Sequence, residues 1–346
     1  MNTSALTLLA KHGPLLMTAD GIAHWAATLA TFNGQAPVRA GSDTNWLGDK
    51  FPSASMIGTV GVIEYSGPLL QRPGYIETQL GAVSYDKICE LVDFVLDAGA
   101  KSMVISADSP GGSACGMLEC ADKIAEAAAK VPVVAFTNSC MTSAAYGLAC
   151  PATAIYSTKT ANLASVGVRC EIADWSEFVR NMGVKMHSFV SGKYKNAGSP
   201  YQAMTDDHAD YFSGLVTKIA DDFKGLVRAN RPGVSDDWMQ GQCCYGQECV
   251  TAGFSDGIVS GLGEVIDKLS AGNFGTQQRA KSGRPVSALD AEWAAMTPAQ
   301  KAEFGNSVSA FAAFKRNASR SAVRSGGGGS KAFTRADFRK PSTQGN

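Results

Sequence analysis

The 346-residue chain carries 31 Lys and Arg against 31 Asp and Glu, and its formal net charge is zero. Hydrophobic residues make up 45% of it and glycines number 37, which suits one large α/β domain with extensions, or two domains, with a sizeable core and many turns. Neutrality argues against a general nucleic-acid binder. The nine cysteines (Cys89, Cys115, Cys120, Cys140, Cys150, Cys170, Cys243, Cys244 and Cys249) are odd in number and form no C-x-x-C pair. That excludes a disulfide framework or zinc knuckle as the expectation, and reads as small buried hydrophobes in a reducing compartment.

Residues 1–56 read as a weakly patterned lead-in. Leu6, Leu8 and Leu9 are followed by Lys11-His12-Gly13-Pro14, with no basic start before them, so no signal peptide is expected. No stretch approaches the ~20 apolar residues of a membrane helix, so no membrane anchor is expected and the chain is placed in the cytoplasm. Gly34 to Pro52 reads as a linker or surface loop. Regular alternation begins at Ile57. Val60, Val62, Ile63 and Tyr65 predict a strand closed by Ser66-Gly67-Pro68. Ser84 to Ala98 predicts a helix with Ile88, Leu91, Val92, Val95 and Leu96 on one face and Gly99 as its stop. Met103 to Ile105 predicts a buried strand ending in Asp108-Ser109-Pro110-Gly111-Gly112. A helix with Met117, Leu118, Ala121 and Ile124 inward follows, then a strand over Val133 to Phe136.

This β-α-β-α-β order implies parallel strands, right-handed crossovers and functional loops at the strands' carboxyl ends. Further on, Ala154 to Ser157 predicts a strand, Asp174 to Met182 a helix, and Lys185 to Val190 a strand that delivers a Gly-rich loop. A long helix is predicted from about Gln202 to Ala229, with Tyr211, Leu215, Ile219, Phe223 and Leu226 as its apolar positions. The domain thus spans 57–270. Residues 271–346 read as a flexible basic tail with one helix over about 297–315, begun by the capping arrangement Thr297-Pro298-Ala299-Gln300. The run Ser325-Gly326-Gly327-Gly328-Gly329-Ser330 reads as a linker. Residues 315–340 hold eight Lys and Arg against one Asp, a solvated stretch able to touch nucleic acid or an acidic surface.

Two segments carry the chemistry. Thr142-Ser143-Ala144-Ala145-Tyr146-Gly147 follows an apolar run and offers a hydroxyl at a helix start. Ser191-Gly192-Lys193-Tyr194-Lys195-Asn196-Ala197-Gly198-Ser199-Pro200 offers an amine. Together they read as a serine nucleophile activated by a lysine base. The unpaired N–H of Ala144 and a backbone N–H bared by Gly111-Gly112 suit an oxyanion site. Each feature also has a bland reading. Ser143 is a preferred N-cap, the double glycine suits a βα turn, and lysines are mostly solvated. A lysine base must be neutral, which calls for an apolar pocket; Tyr194, Ala197, Pro200 and Tyr201 are candidate walls, and Lys193 is the rival base. His187 and His208 are the candidates for a Ser-His-Asp alternative, but neither sits in a glycine-bearing loop. Cys140 and Cys150 flank Ser143 among apolar residues, which keeps a thiol inert. There is no phosphate-binding G-x-x-x-x-G-K-[ST] loop and no H-E-x-x-H zinc helix.

Four segments in order resemble the S49 serine peptidases, the signal peptide peptidase A group, and most of all their phage and prophage head-maturation branch. They are Val104 to Gly112, Met141 to Tyr146, Ala164-Ser165-Val166-Gly167-Val168, and Gly192 to Ala197. Tyr245 to Gly257 is similar to the family's closing helix and turn, with Cys249 where alanine is common. The likeness covers about 57–270. It implies a crotonase/Clp-like α/β fold of repeated β-α-β units and a Ser143–Lys195 dyad with Gly112 and Ala144 as oxyanion donors. It implies no metal or cofactor, and a ring-like homo-oligomer in which serine and lysine can come from neighbouring protomers. The implied substrates are capsid-assembly proteins such as scaffold, portal or coat. The alternatives are a cytoplasmic peptide-degrading enzyme of the signal-peptide-peptidase type, a non-catalytic capsid scaffold on the same frame, and a crotonase-type acyl-CoA enzyme.

Overall fold

The computed structural model of the chain describes Leu15–Met17, residues 52–272 and Thr297. The predicted tail helix over about 297–315, the Gly-rich linker and the basic stretch 315–340 lie outside the described residues, apart from Thr297 itself.

In chain order the strands are β1 (Leu15–Met17), β2 (Ser53–Ile57), β3 (Val60–Ser66), β4 (Leu69–Leu70), β5 (Val83–Ser84), β6 (Ser102–Asp108), β7 (Gly111–Ser113), β8 (Val133–Thr137), β9 (Cys140–Thr142), β10 (Ala154–Ser157), β11 (Asn162–Ala164), β12 (Cys243–Tyr245) and β13 (Gly257–Ile258). The helices are α1 (Tyr75–Gln79), α2 (Tyr85–Asp97), α3 (Met117–Lys130), α4 (Ala144–Ala149), α5 (Ser176–Asn181), α6 (Asp206–Asn230), α7 (Gly246–Thr251) and α8 (Leu262–Ser270).

The predicted parallel sheet is present. Six strands lie in the order β13-β10-β8-β6-β3-β2, parallel throughout except for the antiparallel β2 at one edge. Each crossover is helical, which is how parallel neighbours are joined. Alternate strand residues feed two cores. Ile63, Met103, Ile105, Val133, Ala135 and Ile155 face the core that contains α2, α3 and α4. Val60, Val62, Val104, Val134, Phe136 and Ala154 face Val265 and Leu269 of α8. A sheet covered on both faces explains why these strands read as continuous apolar runs.

The helices follow their patterns. Ser84 caps α2, its Oγ accepting from the Lys87 N–H at 3.4 Å, and Ile88, Leu91, Val92 and Val95 are buried. Met117, Ala121 and Ile124 of α3 are buried as predicted. A Cβ at Gly61 would lie 1.9 Å from Val95 Cγ1, so glycine there is what lets α2 settle on β3.

Three expectations are corrected. Lys185–Val190 is not a strand but irregular, exposed chain, because no strand among the described residues lies beside it to take its ladder bonds. The long helix begins at Asp206, where Thr205 Oγ1 accepts from the His208 N–H, and only Phe223 and Val227 are buried. Tyr211 is exposed and Leu215 and Ile219 half-buried, since the helix packs only near its C-terminus. Cys244 and Cys249 are disulfide-bonded, with Cα atoms 5.2 Å apart. The strand-to-helix turn from β12 into α7 folds the two buried positions onto each other. The lead-in also supplied more structure than predicted: β2 pairs with β3, and β1 pairs with β7.

Candidate active site

Two smaller sheets build the site beside the main one. The order β12-β11-β9 forms one, and β1-β7-β4-β5 the other. The strand β9 ends at Thr142, α4 begins at Ala144, and Ser143 is the whole turn between them. Its backbone has φ 54° and ψ −121°, in the left-handed half of conformational space that a residue with a Cβ rarely enters. Its N–H donates to the Ala164 carbonyl at 2.6 Å. Ala164 and Ser165 also have positive φ, 78° and 55°, and the Ser165 N–H donates to the Gln242 carbonyl at 2.9 Å. Three adjoining non-glycine residues at positive φ, each costing of order 1–3 kcal/mol, form a cluster of the kind found at functional sites.

Ser143 is the N-cap residue of α4 by position, but its side chain makes no capping hydrogen bond. The residue is only 2% exposed, at the strand-to-helix junction. Ala144 is the first residue of α4, so its N–H has no intrahelical carbonyl to meet. Helix α4 is fixed from beneath. The Tyr146 hydroxyl donates to the Phe254 carbonyl at 3.1 Å, and a Cβ at Gly147 would lie 2.6 Å from Met117 Sδ.

The double glycine is tied to the same turn. The Ser109 N–H donates to the Cys140 carbonyl at 2.7 Å, and the Thr142 N–H donates to the Ser109 carbonyl at 3.2 Å. Ser109 Oγ accepts from the Gly111 N–H at 3.2 Å and shapes the loop. Gly111 has φ 101°. A Cβ at Gly112 would sit 1.8 Å from the Leu69 carbonyl oxygen, so only glycine permits β7 to lie against β4. Ser143, Ala144 and Gly112 thus belong to one hydrogen-bonded unit.

The lysine loop is exposed. No residue between 167 and 222 is buried. Lys193 Nζ pairs with Asp207 Oδ2 at 2.8 Å and lies 5.2 Å from the Tyr194 ring centre. Its hydrogen bond to Asp207 pushes its pKa up, the wrong direction for a base. Lys195 is exposed and its amine makes no hydrogen bond or ion pair among the described residues. Tyr194 and Tyr201, two of the expected walls, are 44% and 49% exposed. The loop is held by its own neighbours: Tyr194 stacks on Tyr211 with centres 5.0 Å apart, and the Trp175 N–H donates to the Pro200 carbonyl. No such bond joins it to the Ser143 turn among the described residues.

His187 lies in the exposed irregular segment, and His208 sits on α6 beside Tyr194 with ring centres 6.4 Å apart. Burial raises the Cys140 thiol pKa, and Cys150 is fully buried. The sequence reading missed the supporting roles of Ser109, Ala164 and Ser165. Neither Ala164 nor Ser165 is a glycine, so nothing at those positions announces a positive φ.

A doubly covered parallel sheet, with a strained serine at a strand-to-helix turn tied through Ser109 to a double-glycine strand, defines an α/β protein. Residues 125–272 match the model of Peptidase family S49. It is similar to Capsid assembly protease C of Escherichia phage lambda, 27% identical over 212 residues, covering 60% of this chain and 48% of that protein. It is similar to Head-tail preconnector protein GP5 of Enterobacteria phage P21, 26% identical over 227 residues, covering 64% and 45%. The protein MJ0651 of Methanocaldococcus jannaschii is 30% identical over 141 residues, covering 41% and 45%. The chain therefore spans about half the length of the curated relatives it matches. Among solved structures, a ClpP1 mutant from Listeria monocytogenes matches 60% of this chain and 94% of its own at 11% identity and a TM-score of 0.38. A membrane-bound stomatin-specific protease mutant matches 60% and 82% at 15% identity and a TM-score of 0.33.

Proposed function

We propose that the chain is a serine endopeptidase. Ser143 Oγ bonds to the peptide carbonyl carbon while Lys195 takes its proton. The N–H groups of Gly112 and Ala144 hold the oxyanion. Lys195 then protonates the leaving amine as the C–N bond breaks, and water, activated by the same amine, hydrolyses the acyl-enzyme. The observation that carries this reading is the strained Ser143 turn, whose hydroxyl is not used as a cap and whose neighbours are the double glycine and an orphan helix N–H.

Lys195 is the base and Lys193 is not, because Asp207 holds Lys193 charged. Among the described residues nothing buries Lys195, so the amine gains its apolar surroundings, and reaches a Ser143, in a homo-oligomer. The exposed Phe178, Met182 and Phe189 of the same segment supply the contact surface. The substrates are capsid-assembly proteins, a reading supported by the names of the two phage relatives. The site of action is the host cytoplasm or the assembling particle. Among the described residues no helix is long and apolar enough to cross a membrane.

A fluorophosphonate probe tests the reading. Labelling at Ser143, abolished in Ser143→Ala, supports it; an unlabelled Ser143 in the assembled protein overturns it. Ser143→Ala lowers kcat on a protein substrate by about 10^4- to 10^6-fold, and Lys195→Ala by at least roughly 10^2-fold.

A further inference from the structure

The strand β7 has two edges. One is taken by β4, with Leu69 opposite Gly112. The other is taken by the chain's own N-terminal segment: β1 pairs antiparallel, Leu15 opposite Ser113, Leu16 opposite Gly112 and Met17 opposite Gly111. An extended peptide added to a free strand edge is held by main-chain bonds. Here that edge contains Gly112, the proposed oxyanion donor, and the strand is bonded through Ser109 to the turn that carries Ser143. The segment runs toward the glycines as it runs from N to C, so the carbonyl in register with Gly112 belongs to Leu16.

We propose that residues 15–17 are an intramolecular substrate: they occupy the acyl-side edge of the site and present the Leu16–Met17 bond to Ser143. The chain then trims its own N-terminus, and while uncut the segment blocks other peptides. The step balances as ordinary hydrolysis. Ser143 Oγ bonds to the Leu16 carbonyl carbon, the bond to Met17 nitrogen breaks, that nitrogen takes the serine proton, and water later frees residues 1–16. This rests on the peptidase reading above, and the test separates the two.

The full chain is followed by intact mass and N-terminal sequencing. The wild type gains a new terminus at Met17. Ser143→Ala does not, and Leu16→Pro, which removes the backbone donor and disturbs the pairing, loses the cut. In the Ser143→Ala background, Leu15→Cys with Ser113→Cys forms a disulfide identified by peptide mapping, because directly opposed residues have Cβ atoms about 4.5–5.5 Å apart. If Ser143 takes the probe and casein is cleaved while the N-terminus stays whole, self-processing is refuted and the peptidase reading stands. If Ser143 takes no probe, the peptidase reading and the self-cleavage fall together. The cross-link needs no catalysis, and its absence refutes the seating of the segment on β7 whatever the serine does.

Discussion

Ser143 has a backbone that a glycine would hold more easily. At φ 54° and ψ −121° its Cβ is strained, and the hydroxyl is the return for that strain. Ser143→Gly relieves it and stabilises the fold by about 1 kcal/mol, a rise in Tm of roughly 2–4 °C, while abolishing cleavage. Ser143→Ala keeps the Cβ and so gives no rise. Thermal melts of the two variants check this; a Tm for Ser143→Gly below that of Ser143→Ala would sink the strain account. At this scale the strand-to-helix turn at Ser143 is legible because a run of small residues follows an apolar strand. Lys195 was chosen over Lys193 by resemblance, and the ion pair of Lys193 with Asp207 now gives that choice a physical reason. Lys193→Ala accordingly lowers kcat far less than Lys195→Ala, which steady-state kinetics on one protein substrate will show. Ala164 and Ser165 were not legible as strained residues, since their conformation is imposed by bonds to Ser143 and Gln242 from distant segments.

The elements that could be read were those whose local spacing and final burial agree. Helices α2 and α3 show their apolar faces at three- and four-residue intervals, and the strands β3, β6, β8 and β10 are apolar on both faces. The strands β4, β7, β9 and β11 have two or three residues each, too short for any period to appear, and they hold the site. Lys185–Val190 shows the opposite failure: its apolar composition suits a strand, but no neighbour among the described residues completes one. The end of α6 depends on a pair far apart in sequence. Arg231 Nη1 donates to Asp256 Oδ2 at 2.6 Å, and that oxygen also accepts from the Ile155 N–H at 2.7 Å. The arginine side chain is 5% exposed. Asp256→Ala leaves this guanidinium buried without its carboxylate and the Ile155 N–H without its acceptor. A loss of about 3–5 kcal/mol follows for such a broken buried pair. Denaturant unfolding measures it; a loss under 1 kcal/mol would mean that water or Ala152 takes over the pairing.

Over the whole molecule the burial is divided sharply. The two cores close around residues 60–166 and 223–269, whereas nothing from 167 to 222 is buried. A stretch of that length with Phe189 at 95% exposure and Met182 at 64% has no core of its own to settle on. Exposed apolar residues gathered in one stretch of the chain suit an interaction site. The proposed base lies in this stretch and the proposed nucleophile in the core, so the proposed homo-oligomer links assembly to catalysis. Phe189→Asp places a charge in the contact and shifts the protein toward monomer. Activity falls with it, although neither Ser143 nor Lys195 is touched. Diluting the wild type below the dissociation constant of the oligomer has the same effect, and mixing Ser143→Ala with Lys195→Ala chains restores part of the activity by pairing an intact serine with an intact lysine across protomers. Sedimentation velocity run beside the activity assay decides the matter. A Phe189→Asp monomer with full activity would place serine and lysine within one chain, and the mixed variants would then stay inactive.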